Sequence, residues 1–202
     1  MGLSTVLTVN KYGYYPKGNG EVTMAITPCK SMRALSLETL GNIKSIKGVS
    51  VCTFLADRKV AERQARAANE YLGQGGCRAN IQLINDTSNP LQKGSSLVLW
   101  AESDTNAILG ADAIGELRKT SETVGTEAAE KLYSEILAKP TVDTHLADLL
   151  VPYAALAHSK STYLARTLTE HLQTNMWLAE KILNVRFAIE KKDGLYRLRR
   201  VS

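Results

Sequence analysis

The stretch Val60-Ala61-Glu62-Arg63-Gln64-Ala65-Arg66-Ala67-Ala68-Asn69-Glu70-Tyr71-Leu72 changes the hydrophobic period of the chain from two to nearly four. Val60, Ala61, Ala65, Ala68 and Leu72 share one face of a helix predicted over 59–72, with Arg63, Arg66 and Glu70 pointing elsewhere. Gly73, Gly75 and Gly76 end it. Before this helix lie two alternating runs, 4–10 around Val6 and Val9 and 21–26, separated by the turn-rich Tyr14-Tyr15-Pro16-Lys17-Gly18-Asn19-Gly20. A third strand is predicted over 43–55. After the helix, strands are predicted at 79–84, 96–102 and near 107–111, and the polar stretch 85–95 reads as the most flexible in the chain.

Helical spacing returns at 121–138, where Val124, Ala128, Leu132 and Ile136 recur every four residues until Pro140 closes the element. Further helices are predicted at 142–156 and 167–183. A closing hairpin pairs 187–190 with 195–201 around Asp193-Gly194, a strong two-residue turn signal. Strands and helices interleaved in this way call for an α/β fold with α+β layering.

The chain has 202 residues, of which 44% are hydrophobic and 22% charged, the balance of a water-soluble globular protein. No apolar run suits a bilayer span and the first ten residues lack signal-peptide regions, so a cytoplasmic protein without membrane partners is expected, or a nucleoplasmic one if the source is eukaryotic. Cys29, Cys52 and Cys77 form no CxxC pair, which predicts reduced thiols. The net charge of +5 permits an anionic partner without requiring one; the basic run Lys191, Lys192, Arg197, Arg199 and Arg200 suits a solvated strand edge.

Sequence signatures of common hydrolases and P-loop nucleotide triphosphatases are absent. Of the three histidines, His171 has the most informative setting. Thr167 as helix cap with Glu170 three residues on would place His171 in the first helical turn, where the helix dipole favours the neutral ring that a nitrogen nucleophile requires. Asn175 lies one turn further on the same face. His145 and Asp148, at i and i+3, emerge together from a helix start, suited to a small-molecule site or a local hydrogen bond; two residues do not make a metal site, and none is assigned. His158 reads as an exposed loop residue.

Four segments resemble the RNA 3'-terminal phosphate cyclase family in family order: Tyr14 to Val22 its Tyr-Pro-Arg-Gly-Gly-Gly signature, Val60-Ala61-Glu62-Arg63 its Val-Ala-Glu-Arg, Val142 to Asp148 a segment ending Leu-Ala-Asp-Gln, and Thr169 to Asn175 the segment of the nucleophilic histidine. The resemblance implies a four-stranded sheet backed by two parallel helices, as in the C-terminal half of a translation initiation factor, with a smaller thioredoxin-like α/β domain inserted. Residues 1–40 plus 139–202 then form the last cyclase repeat and 41–138 the insert. It implies ATP-dependent conversion of an RNA 3'-phosphate to a 2',3'-cyclic phosphate through a covalent histidine–AMP intermediate, an AMP-forming ligase reaction using magnesium or manganese.

By that resemblance His171 is the adenylated nucleophile. His145 stands at an adenine-stacking aromatic position, Asp148 is an acidic residue of the nucleotide site, and Thr174 and Asn175 orient His171 or the phosphates. Tyr15, Pro16, Lys17, Gly18 and Gly20 form a substrate-side turn. Asn19 replaces a family glycine and Leu149 the usual glutamine after Asp148. Family members carry earlier repeats that supply further phosphate and metal ligands, so this chain is expected to be a C-terminal part that needs an N-terminal half or a complementary chain, with self-association left open. The competing reading is a non-catalytic relative that binds RNA or acts in ribosome assembly.

Overall fold

The computed structural model describes residues 1–2 and 4–202. The fold is mixed α/β, with two main cores. The first belongs to β3 (Ile43–Thr53), α1 (Val60–Gln74), β4 (Ala79–Asp86), β5 (Gly94–Ser103), β6 (Ile108–Ile114) and α2 (Ser121–Ala138). The strands form one sheet in the order β4-β3-β5-β6, with β3 and β4 parallel through the α1 crossover and the other pairs antiparallel. Alternation along β5 points Leu97, Leu99 and Ala101 inward, against Leu72 of α1 and Val124 and Leu132 of α2, all essentially without solvent exposure. The two helices approach closely because position 125 is glycine: a Cβ there would lie 2.2 Å from the Gln64 carbonyl oxygen. Gln64 is itself buried, and its amide is satisfied by Ser50 and Ser95 at 2.9 and 2.8 Å.

The second core joins α3 (Thr144–Leu156), β7 (Thr162–Ala165), α4 (Glu170–Leu183), β8 (Phe187–Lys192) and β9 (Leu195–Arg200). The strand order is β7-β9-β8, all antiparallel. Residues 35–37 run alongside β7 as a fourth partner through Thr162 N to Leu35 O at 2.7 Å and Leu37 N to Thr162 O at 3.0 Å. Two helices back this sheet, with Ala147, Val151, Leu172 and Met176 against Tyr163 and Leu198. The predicted turn is present, Asp193 and Gly194 both having positive φ.

β7 is the strand that sequence periodicity misses. It has four residues, three of them buried, and therefore no polar alternation to read. The stretch 85–95 also departs from expectation. It docks on the segment 12–18: Asn89, 1% exposed, donates to Tyr12 O at 2.8 Å and Gly18 O at 3.0 Å.

β1 (Ser4–Lys11) and β2 (Glu21–Thr27) form a separate two-stranded hairpin. Its register puts Leu7 opposite Met24, Val9 opposite Val22 and Ile26 opposite Thr5, collecting the large apolar side chains on one face. That face is open, with Leu7, Met24, Val22 and Ile26 all 56–60% exposed. No helix of the described residues is long and apolar enough to cross a membrane.

Candidate functional site

The N-terminal ends of α3 and α4 are tied together through one residue, Asp148. Helix α3 contains Pro152, which has no backbone N–H to return to the carbonyl four residues back. That carbonyl belongs to Asp148, and the Asn175 side-chain amide of α4 donates to it at 2.9 Å. The Asp148 carboxylate meanwhile accepts from the Thr169 hydroxyl at 2.6 Å. Thr169 is the N-cap of α4, its hydroxyl oxygen accepting from Leu172 N at 2.9 Å.

The cap is therefore Thr169, two residues later than the expected Thr167, and no capping box forms. Thr169 wins because Asp148 holds its hydroxyl from the other side. His171 remains in the first helical turn, exposed beside this latch. Thr174 is exposed on the next turn. The structure thus brings His171, Asp148, Thr169 and Asn175 to one place.

His145 is exposed on the first turn of α3, whose cap is Asp143. Asp143 Oδ1 accepts from Leu146 N at 2.9 Å and its Oδ2 from Gly110 N at 3.0 Å, which fixes the helix start to β6. No bond joins His145 to Asp148 among the described residues. Below His145 lies a carboxylate that sequence reasoning missed. Glu135, 8% exposed near the end of α2, accepts from Thr144 Oγ1 at 3.0 Å, with Arg166 Nη1 at 4.0 Å. Its other oxygen is buried without a partner. Burial pushes this carboxyl above its ordinary range, and the Thr144 hydroxyl and Arg166 only partly oppose that. Within a period-four helix nothing marked Glu135 as inward-facing, since its burial depends on α3 packing over the end of α2.

The turn holding Tyr15, Pro16, Lys17, Gly18 and Gly20 lies elsewhere. Gly18 N donates to Tyr14 O at 2.7 Å, Gly18 and Asn19 have positive φ, and Gln92 donates to Tyr15 O at 3.1 Å. Tyr15, Pro16 and Lys17 are exposed. Every long-range hydrogen bond of residues 14–20 among the described residues comes from Asn89 or Gln92, none from α3 or α4. His158 is an exposed residue after α3, its ring Nδ1 2.6 Å from Met32 O. Cys29, Cys52 and Cys77 are free thiols.

Residues 38–137 match the family model described as RNA 3'-terminal phosphate cyclase, insert domain. Curated relatives bearing the name RNA 3'-terminal phosphate cyclase align along nearly the whole chain. The protein from Pyrobaculum aerophilum is 39% identical over 197 residues, 96% of this chain and 56% of the relative. That from Methanopyrus kandleri is 37% identical over 198 residues, with the same shares. That from Methanosarcina barkeri is 38% identical over 196 residues, 97% of this chain and 56% of the relative. The chain thus spans just over half the length of these relatives.

Proposed function

The chain belongs to the RNA 3'-terminal phosphate cyclase family, and from that premise we propose that it carries the adenylate-accepting part of an ATP-dependent RNA 3'-phosphate cyclase. The observation that supports this most is the latch: Asp148, Thr169 and Asn175 hold the start of α4 while leaving the His171 ring in solvent. In this reading a His171 ring nitrogen attacks the α-phosphorus of ATP. A phosphorus–nitrogen bond forms as the bridge to the β-phosphate breaks, and pyrophosphate leaves. An oxygen of the RNA 3'-phosphate then attacks the same phosphorus, restoring the imidazole and leaving an anhydride. The neighbouring 2'-hydroxyl, losing its proton, closes on the 3'-phosphorus and AMP departs.

This chain's residues have distinct parts in that sequence. The free backbone N–H groups of the first turn of α4 offer a phosphate site next to the nucleophile. Asp148 and Asn175 are positioning residues that act through the helix start. Thr174, exposed on the same helix, stands ready for a phosphate oxygen. The His145 ring stacks on adenine with less area than the family's larger aromatic. The turn with Tyr15, Pro16, Lys17, Gly18 and Gly20 holds the RNA end rather than taking part in bond making, which agrees with its bonds running only to 89–92.

A divalent ion does not fit this chain alone. Among the described residues no three His, Cys, Asp or Glu side chains converge, and an oxygen of Asp148 is occupied by Thr169. No step is therefore assigned to it. Residues 41–138 are read as the inserted unit, and 1–40 with 139–202 as the repeat that holds the nucleophile, with the remaining phosphate ligands supplied by the part of the family that this chain does not match.

The test is labelling with α-phosphate-labelled ATP and magnesium, with and without the unmatched portion of the Pyrobaculum aerophilum relative added as a separate polypeptide. We expect little label on the chain alone, acid-labile label on the complemented chain, and none on His171→Ala. Equal labelling of His171→Ala would contradict the proposal. RNA binding with no label at all would favour the non-catalytic reading.

A further inference from the structure

Residues 88–94 lie within the 38–137 match to the inserted domain, whereas the turn 12–20 lies outside it. That turn has few means of holding itself. It contains Gly13, Gly18 and Gly20, residues 18 and 19 have positive φ, and its own backbone bond runs from Gly18 N to Tyr14 O. The remaining hold comes from 88–94. The buried Asn89 amide donates to Tyr12 O and Gly18 O, 77 and 71 positions away in the chain. Those carbonyls flank the exposed residues 15–17, so a single amide group closes the segment. Asn89 Oδ1 accepts from Leu91 N at 3.2 Å, which fixes the orientation of the amide. Ser88 Oγ accepts from Tyr12 N at 3.3 Å, and Gln92 donates to Tyr15 O. The Tyr14 ring covers position 94 so closely that a Cβ there would lie 2.3 Å from it, and its hydroxyl is buried. A cavity of about 540 Å³ opens along this seam, with Lys11, Asn19, Gly20 and Glu21 on one side and Asn89 and Leu91 on the other.

We propose that the inserted unit sets the shape of the substrate-side turn, with Asn89 as the positioning residue, and so determines how tightly the chain holds a 3'-phosphorylated RNA end. The proposal rests on the cyclase reading for the identity of the ligand and adds to it a task for the inserted unit. Asn89 suits that task by its chemistry. Its amide carries two donors on one nitrogen with an acceptor beside them, on a side chain short enough to stay buried. Aspartate has the same shape and keeps the acceptor, but it offers no donor to the two carbonyl oxygens. Without the Asn89 bonds the turn regains the freedom of a glycine-rich loop, and Lys17 no longer meets a phosphate oxygen from a fixed direction. The cavity has the volume of a small-molecule site. Lys11 offers charge there to a phosphate, and Leu91 offers an apolar wall to a base.

The test compares the 202-residue chain with Asn89→Asp, Asn89→Ala and Leu99→Ala, the last weakening the same inserted unit from its core. Two quantities are measured where all four are folded: the rate of trypsin cleavage after Lys17, and the Kd for a single-stranded oligoribonucleotide ending in a 3'-phosphate, by fluorescence anisotropy without ATP. Both Asn89 variants should be cut about tenfold faster and bind RNA about tenfold more weakly, the effect of the lost hydrogen bonds. Leu99→Ala should keep the parent's values in both while melting at a lower temperature. Parent-like cleavage and affinity in Asn89→Asp would overturn the proposal. Equal changes in Leu99→Ala would reduce Asn89 to a matter of stability, and faster cleavage with unchanged RNA affinity would separate the turn from the ligand; either result also overturns it, as does a parent chain that binds no RNA. Neither readout involves ATP, so a failure of the adenylation chemistry at His171 leaves the result standing.

Discussion

The two halves of the molecule finish their cores differently. In β3–β6 with α1 and α2, the inward leucines have no exposure and the helices meet so tightly that only glycine fits at 125. In the rest, α3 and α4 bury one side against a small sheet and leave the other in water, and the β1–β2 hairpin leaves its apolar face open. Every residue proposed for chemistry sits in the open half. The closed half buries its apolar side chains within itself; the open half leaves a large share of its own in solvent.

The sharpest way to break this contrast is to truncate one leucine or isoleucine in each half. Leu99→Ala, in the closed core, should cost about 3–4 kcal/mol in urea denaturation. Ile182→Ala, on the exposed face of α4, should change the isolated chain by less than about 0.5 kcal/mol. Similar costs at both sites would mean that this face of α4 is covered in solution. Gly125→Ala should be destabilising by about 1–3 kcal/mol, because the new methyl meets the α1 backbone; a gain in stability, as helix propensity alone would give, would show that the helices are free to separate.

The smallest effect concerns the seam between the halves. Glu135 is held above its ordinary range in the folded state, so its contribution to stability is complete below the unfolded carboxylate range and is lost as pH rises through the raised value. Its surroundings also include Asp143, which adds to that shift, and His145, which opposes it. Glu135→Gln cannot titrate. It should match the parent in acid and become relatively more stable toward pH 8, with thermal melting as the measure. Parallel pH profiles would contradict the burial argument.

What could be seen in the sequence followed from pattern strength. Helix α2 was legible at both ends, since Val124 to Ile136 repeat without interruption and Pro140 stops them. The Asp193-Gly194 turn was equally plain. β7 was not, because a buried four-residue strand has no period. The α4 cap was misplaced because Thr167 and Thr169 are locally equivalent, and only the distant Asp148 separates them. The Asp148–Asn175 bond was hidden for a related reason: Pro152 frees a carbonyl, but its partner comes from another helix. Glu135 needed α3 folded over it. Local chemistry was readable; choices made by a residue on another element were not.

The most direct test is to digest the complemented protein after incubation with ATP and magnesium and to locate the adduct by mass spectrometry. AMP is expected on the peptide containing His171 and on no other. AMP on a lysine or on His145, or an unmodified His171 in a protein that still closes RNA ends, would contradict it.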